Sequence, residues 1–155
     1  MISGREELAY IMPHRGKMLL LSRVKEYNLK ERSLCAEYYV TKDCLFYDPL
    51  IDGVPAWAGF EFIAQAISAL CGLLLREIGE EPRIGFIMSI SSMRIGLPVF
   101  KIGNLLEIRV REYDSVDMVY NFAGEIFLDG RKVIEGKLTV LDVTEEQMEI
   151  LRKET

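Results

Sequence analysis

The sequence predicts an α+β fold in which an antiparallel sheet of about six strands wraps one long central helix. Three observations carry this reading. First, residues 54–78 form one long helical pattern whose polar positions, Glu61, Gln65, Ser68, Gly72 and Arg76, follow one another at spacings of 4, 3, 4 and 4. They trace a narrow stripe on an otherwise apolar surface, and a helix that is apolar nearly all round is buried. Second, two strand patterns precede the helix and four follow it, with tight turns between the last four. Third, half of the 155 residues are hydrophobic, enough for a full core in a single domain spanning residues 1–155.

Each element has its own signal. Ser3 and Glu6 have the spacing of a capping box for a short helix over Glu6–Ile11, which Pro13 ends. Lys17–Tyr27 begins apolar and then alternates, as a first strand, and Leu34–Val40 returns as the second. Thr41–Asp52 has no period and reads as loop, with room for one helical turn at Cys44. Pro55 suits the first position of the long helix, Arg76 its negative pole, and Gly79 its stop. Ile84–Ile95, Leu105–Tyr113, Met118–Leu128 and Lys132–Val143 are the remaining strands. Asp114-Ser115 and Asp129-Gly130 mark turns, the latter the strongest hairpin signal in the chain. Glu145–Lys153 is a polar tail with the makings of a short helix.

Composition excludes several functions. A net charge of −5 and a pI near 5.0 argue against nucleic acid as the main partner, because phosphate binding needs a basic surface. Cys35, Cys44 and Cys71 show neither a CxxC nor a metal-ligand spacing, so free thiols in a reducing cytoplasm are expected, with no metal and no cofactor. The N-terminal residues lack the apolar core of a signal peptide. Ala56–Leu75 is long enough to span a membrane, but Glu61, Gln65 and the flanking strand patterns argue for a core helix and against a membrane span. One helix wrapped by a curved sheet is the hotdog arrangement. It leaves an edge strand that pairing across a two-fold axis would cover, so at least a dimer is expected.

Three motifs in order resemble a known family. Met12-Pro13-His14-Arg15 with Met18–Val24 resembles the opening of 3-hydroxyacyl-[acyl carrier protein] dehydratases. Glu61-Phe62-Ile63-Ala64-Gln65-Ala66 resembles their E-x-x-A-Q-A helix motif, and Arg94–Val99 with Gly103–Leu106 their R-x-P-V-x-P-G-D-x-L segment. The resemblance runs from about residue 11 to 143, and V-P-A-W-x-G-x-E looks closest to the branch associated with aryl-polyene clusters. It implies the hotdog fold, an acyl substrate tethered to acyl carrier protein by phosphopantetheine, and dimerisation with itself or with another hotdog protein. In one place the chain departs from the family. Fourteen residues before the helix Glu the family carries a catalytic His, and here that position is Tyr47. His14 is the single histidine in the chain.

Dehydration of a 3-hydroxyacyl thioester needs a base at the α-carbon, an acid at the 3-hydroxyl and donors to the thioester oxygen. Glu61 is the candidate acid, since a carboxyl in apolar surroundings suits that work. Gln65, one turn on, is placed to orient it. His14 is the first candidate for the base because an imidazole titrates near neutrality; its alternative is a structural role at the strand start. Tyr47 is a candidate donor to substrate, or an aromatic plug in a reshaped pocket. Backbone N–H groups near Ala56 and Trp57 are candidates for the thioester oxygen, and Trp57 also reads as pocket wall. Met88 and Met93 read as core-strand residues, Asp114 and Asp117 as solvated, and Arg83, Arg94 and Lys101 as surface cations available to an acidic carrier. Two alternatives to a dehydratase stay open: an acyl thioesterase of the same fold using Glu61 and Gln65, and a non-catalytic subunit that completes a heteromeric dehydratase.

Overall fold

A computed structural model describes residues 1–83, 85–142 and 145–154. In chain order, β1 (Ile2–Ser3) and α1 (Arg5–Ile11) lead through a 3-10 turn at Gly16–Met18 to β2 (Arg23–Asn28) and β3 (Ser33–Tyr39). After a loop, β4 (Gly53–Pro55) and a 3-10 turn at Ala56–Ala58 lead into the central helix α2 (Gly59–Glu77). Then follow β5 (Gly85–Ile95), β6 (Val99–Lys101), β7 (Leu105–Val116), β8 (Val119–Leu128), β9 (Arg131–Asp142) and a terminal helix α3 (Glu145–Glu154). The strand expectations at Ile84 and Val143 lie outside the described residues. The main sheet has the order β1-β2-β3-β7-β8-β9-β5, antiparallel at every step, and β4 pairs separately with β6. The six expected strands are present, with the two-residue β1 added at one edge.

The sheet curls around α2, which packs on β2, β3, β7, β8 and β9. Alternation supplies the wall: Leu106, Ile108 and Val110 on β7, Phe122 and Ile126 on β8, and Ile134, Leu138 and Val140 on β9 all face inward and are buried. Registry stacks them in rows, Ile108 opposite Ile126 and Ile126 opposite Ile134. Where the helix comes nearest the sheet there is no side chain to spare: a Cβ on Gly124 would lie 2.4 Å from Ile63. The helical stretch Ala56–Glu77 is long and apolar enough to cross a membrane, yet Phe62, Ile63, Ala66, Ala69 and Leu70 on it are wholly buried inside this sheet.

The polar stripe of α2 faces the one side that the sheet leaves open, where the N-terminal arm covers Gln65, Gly72 and Arg76 while Glu61 and Ser68 face a cavity. Gln65 bonds to the segment at Met18–Leu20. Gly72 meets the end of α1, where a Cβ would sit 1.6 Å from the Ile11 carbonyl oxygen. The Arg76 Nε donates to the Tyr10 carbonyl at 2.8 Å, with its guanidinium 3.8 Å from the centre of the Tyr10 ring.

Several boundaries differ from expectation for identifiable reasons. The helix begins at Gly59, because Gly53–Pro55 are held in the ladder with β6 and Pro55 closes that strand with ψ 135. Its end is as read: Gly79 takes φ +79 and the Glu80 N–H reaches back to the Leu75 carbonyl at 2.9 Å. The first strand starts at Arg23, six residues late, because the backbone at Met18 and Leu20 bonds to Gln65 instead of to a neighbouring strand. α1 has Gly4 at its N-cap with no side-chain cap, and it is Glu7, not Glu6, that accepts the Ser3 N–H, at 2.9 Å. β7 runs on to Val116 through a bulge after Glu112, and the chain turns at Asp117, which takes φ +55. Met88 is exposed on β5, whereas Met93 packs against the core.

Substituting Gly72→Ala drives a methyl group into the Ile11 carbonyl. We expect a loss of about 1–3 kcal/mol in denaturant unfolding, with α1 displaced; an unchanged unfolding midpoint would show that α1 does not dock there.

Candidate active site

Two side chains one turn apart on α2 found the site. Gln65 is fully buried. Its Oε1 accepts the Leu20 N–H at 2.8 Å, and its Nε2 donates to the Met18 carbonyl at 2.6 Å and to Glu61 Oε1 at 3.2 Å. A buried amide with both N–H groups and its oxygen engaged cannot rotate without leaving a polar group unpaired. Gln65 therefore fixes the Glu61 carboxylate while stapling the returning N-terminal segment to the helix. Glu61 itself is half-buried and faces a cavity.

His14 enters the same cavity from the other side. It lies in the segment between α1 and the 3-10 turn, and Arg15 beside it shapes that segment. The Arg15 guanidinium donates to the carbonyls of Met12 at 2.6 Å, His14 at 2.8 Å and Ala9 at 3.0 Å. These bonds gather the last turn of α1 and the residues after it into one knot, with His14 inside. Burial holds the imidazole below its usual value of 6.5; Glu61 pulls the other way and Arg15 adds to the lowering. His14 is accordingly neutral at pH 7. Its Nδ1 is buried and has no hydrogen-bond partner among the described residues.

The cavity has a volume of about 470 Å³. Pro13, His14, Arg15, Met18 and Glu61 frame one end, and it runs along α2 past Ala64, Ser68, Cys71 and Leu75. Ile87 of β5, Tyr120 of β8 and Val140 of β9 form the opposite wall, with Arg83 and Asp142 at the far end. Burial pushes the Cys71 thiol up to about 12, so it stays a thiol and no nucleophile. Among the described residues there is no group of three or more His, Cys, Asp and Glu side chains able to hold a metal.

The other candidates stand elsewhere. Tyr47 lies on the loop between β3 and β4 and does not line this cavity; its hydroxyl donates to Asp52 Oδ1 at 2.7 Å, a bond that raises its pKa further from neutrality. The Ala56 N–H, a candidate donor to a thioester oxygen, donates to the Pro98 carbonyl at 3.0 Å. Trp57 is 56% exposed, its indole edge-on to Phe46 at 5.7 Å between ring centroids. Within one chain, then, Glu61, Gln65 and His14 come together, and Tyr47, Ala56 and Trp57 do not line their cavity. Sequence reasoning passed over Arg15, Tyr120 and Asp142 and placed Ser68 only in the polar stripe of α2. Arg15 was visible inside the Pro13-His14-Arg15 motif; Tyr120 and Asp142 carried no local signal.

The family model described as ApeP-like, ApeP dehydratase, matches residues 6–152. The chain belongs to this family. The ApeP-like chain is 27% identical over 151 residues to the 3-hydroxyacyl-[acyl-carrier-protein] dehydratase FabZ of Chlamydia trachomatis serovar L2, covering 95% of this chain and 97% of that protein. It is 30% identical over 139 residues to FabZ of Erythrobacter litoralis, covering 88% and 90%. Among solved structures, the dehydratase heterocomplex ApeI:P from Xenorhabdus doucetiae superposes with a TM-score of 0.84 at 23% identity, covering 93% of this chain and 95% of that one. A putative thioesterase from Ralstonia eutropha JMP134 shares the fold at a TM-score of 0.59 and 20% identity, covering 77% and 83%. The hotdog fold and membership of the dehydratase superfamily are as the sequence motifs implied.

In this ApeP-like chain, Gln65→Leu leaves the Leu20 N–H and the Met18 carbonyl unpaired. We expect unfolding free energy to drop by about 1–3 kcal/mol for each buried group, read from urea denaturation; a neutral substitution would mean the staple does not hold the arm.

Proposed function

We propose that this chain is a subunit of a 3-hydroxyacyl-[acyl carrier protein] dehydratase, with Glu61 as acid, His14 as base and Gln65 as the residue that positions Glu61. What carries the reading is that Glu61 and the neutral His14 frame one end of a single largely apolar cavity. In the reaction, His14 takes the proton from C2 of the acyl chain. The C2–H electron pair becomes the C2=C3 double bond, the C3–O bond breaks, and Glu61 protonates the departing hydroxyl to give water. The proton then returns from the imidazolium to the Glu61 carboxylate. The acyl chain arrives on acyl carrier protein, the substrate form in the names of the FabZ relatives, tethered there as a phosphopantetheine thioester as the sequence resemblance implies. The cytoplasm is the compartment in which its three free cysteines are stable.

β5 supports a second subunit. It is the last strand of the sheet, and Phe86, Ile87, Met88, Ile90 and Ile95 on it are all exposed. A long apolar edge strand is a pairing surface in search of its complement. We propose that it pairs with the same edge of another hotdog subunit, either a second copy or a companion chain. The reading draws on the fact that the structurally similar ApeI:P is a heterocomplex.

Following enoyl absorbance from a 3-hydroxyacyl-carrier protein tests the chemistry. Glu61→Gln is expected to lower kcat at least 100-fold, and wild-type turnover in that variant would remove Glu61 from the mechanism. The acid limb of kcat/KM is expected below pH 6.5 and is expected to disappear in His14→Asn. The sign also applies to stability. A folded pKa below the unfolded 6.5 gives a contribution that is complete above pH 6.5 and is lost as pH falls through 6.5 toward the lowered folded value. Release of free thiol without enoyl product would instead establish a thioesterase. For the interface, Ile90→Lys is expected to shift the protein toward monomer in sedimentation, and a chain already monomeric with full activity would exclude the β5 pairing.

A further inference from the structure

The far end of the cavity differs in kind from its walls. The face of α2 that lines it carries Glu61, Ala64, Ile67, Ser68, Cys71 and Leu75. Ala64, Ser68 and Cys71 among them are small and leave room for a channel between the helix and the sheet. Ten residues separate Glu61 from Cys71 and fourteen separate it from Leu75, or about 15 and 21 Å along the helix axis at 1.5 Å per residue. Along this length the opposite wall is Ile87 and Val140. At the end the wall turns ionic. Arg83 donates to Asp142 through Nε at 3.1 Å and Nη2 at 2.8 Å, and to Glu80 through Nη1 at 2.6 Å. Tyr120 stands beside this cluster, its hydroxyl kept protonated by burial first and then by the charge of Asp142.

A methyl group pressed against this cluster would take water from an ion pair and offer nothing in return, which is costly. A carboxylate would meet one guanidinium already shared by two carboxylates. A neutral hydroxyl suits the place: Arg83 retains N–H groups beyond the three it uses, Asp142 can accept, and Tyr120 can do either. Resting on the dehydratase reading above, we propose that Arg83, Asp142 and Tyr120 form the floor of the acyl channel and select 3-hydroxyacyl chains whose far end carries a neutral hydroxyl over chains of equal length ending in methyl.

The test uses the protein in its active assembly and a matched pair of 3-hydroxyacyl-carrier proteins. Both chains have about ten carbons, the length suggested by the helix rise; one ends in methyl and one in hydroxyl. The hydroxyl-ended chain is expected to show kcat/KM higher by about tenfold or more, since a site built to hydrogen-bond a hydroxyl rejects the analogue lacking it. Tyr120→Phe, which keeps the ring and the packing, is expected to move the ratio toward one, and Asp142→Asn to do the same. A wild-type ratio of one, or a preference for methyl, overturns the proposal, as does a ratio that Tyr120→Phe leaves unmoved. A 3-hydroxybutyryl chain, too short to reach the floor, separates the two claims. Enoyl product from it upholds the dehydratase reading whatever the long chains show. If no chain is dehydrated, titrating both long chains into Glu61→Gln still measures the floor: tighter binding of the hydroxyl-ended chain supports it, equal binding refutes it.

Discussion

Gln65 sits wholly buried in the middle of the central helix, with its amide shared among the Leu20 N–H, the Met18 carbonyl and the Glu61 carboxylate. Much of the molecule depends on that arrangement. An amide sealed in a core is tolerated only when its donors and acceptor are matched, so the N-terminal segment must come to the helix at this level and no other. Once it does, the chain between α1 and β2 is committed, and His14 is carried to the cavity that Glu61 faces. Fold closure and site assembly are thus a single event.

The stripe of polar residues on α2 is the trace of that event. Gln65, Gly72 and Arg76 each meet the N-terminal arm: one by hydrogen bonds, one by having no side chain, one by a hydrogen bond and a cation over a ring. The sheet can curl around most of a helix but not all of it, because closing the last gap would join its two edges. A short helix with its own apolar face, Leu8 and Ile11, fills the gap instead. The neighbouring stripe of small residues, Ala64, Ser68 and Cys71, is left facing space, and that space is the cavity. One helix therefore presents three faces: apolar to the sheet, polar to the arm, and small to the cavity.

Charge follows the same plan. Glu37, buried on β3, is paired with Arg23, and Arg32 is paired with Glu112 across the adjoining strands, so the sheet's partly buried ions are matched locally. Glu61 has instead a neutral amide beside it and a neutral imidazole across the cavity.

Periodicity alone determined the six long strands of the main sheet and the single buried helix, since helix and strand repeats are local properties of the chain and Gly79 and Asp129-Gly130 punctuate them. Order along the chain determined the architecture, and the Glu61–Gln65 pair was legible because its spacing of one turn already implies contact. Other features were decided only in three dimensions. Val54–Pro55 looked like a helix start and became a strand, because β6, more than forty residues away, supplied a ladder partner. Met18–Leu21 looked like a strand and became an irregular bridge, because a side chain took its backbone bonds. His14 and Glu61 are forty-seven residues apart, and Tyr120, Asp142 and Arg83 come from three separate segments. Their meeting depends on where the sheet curls and on what closes its open side, and long-range geometry of that sort leaves no mark in local spacing.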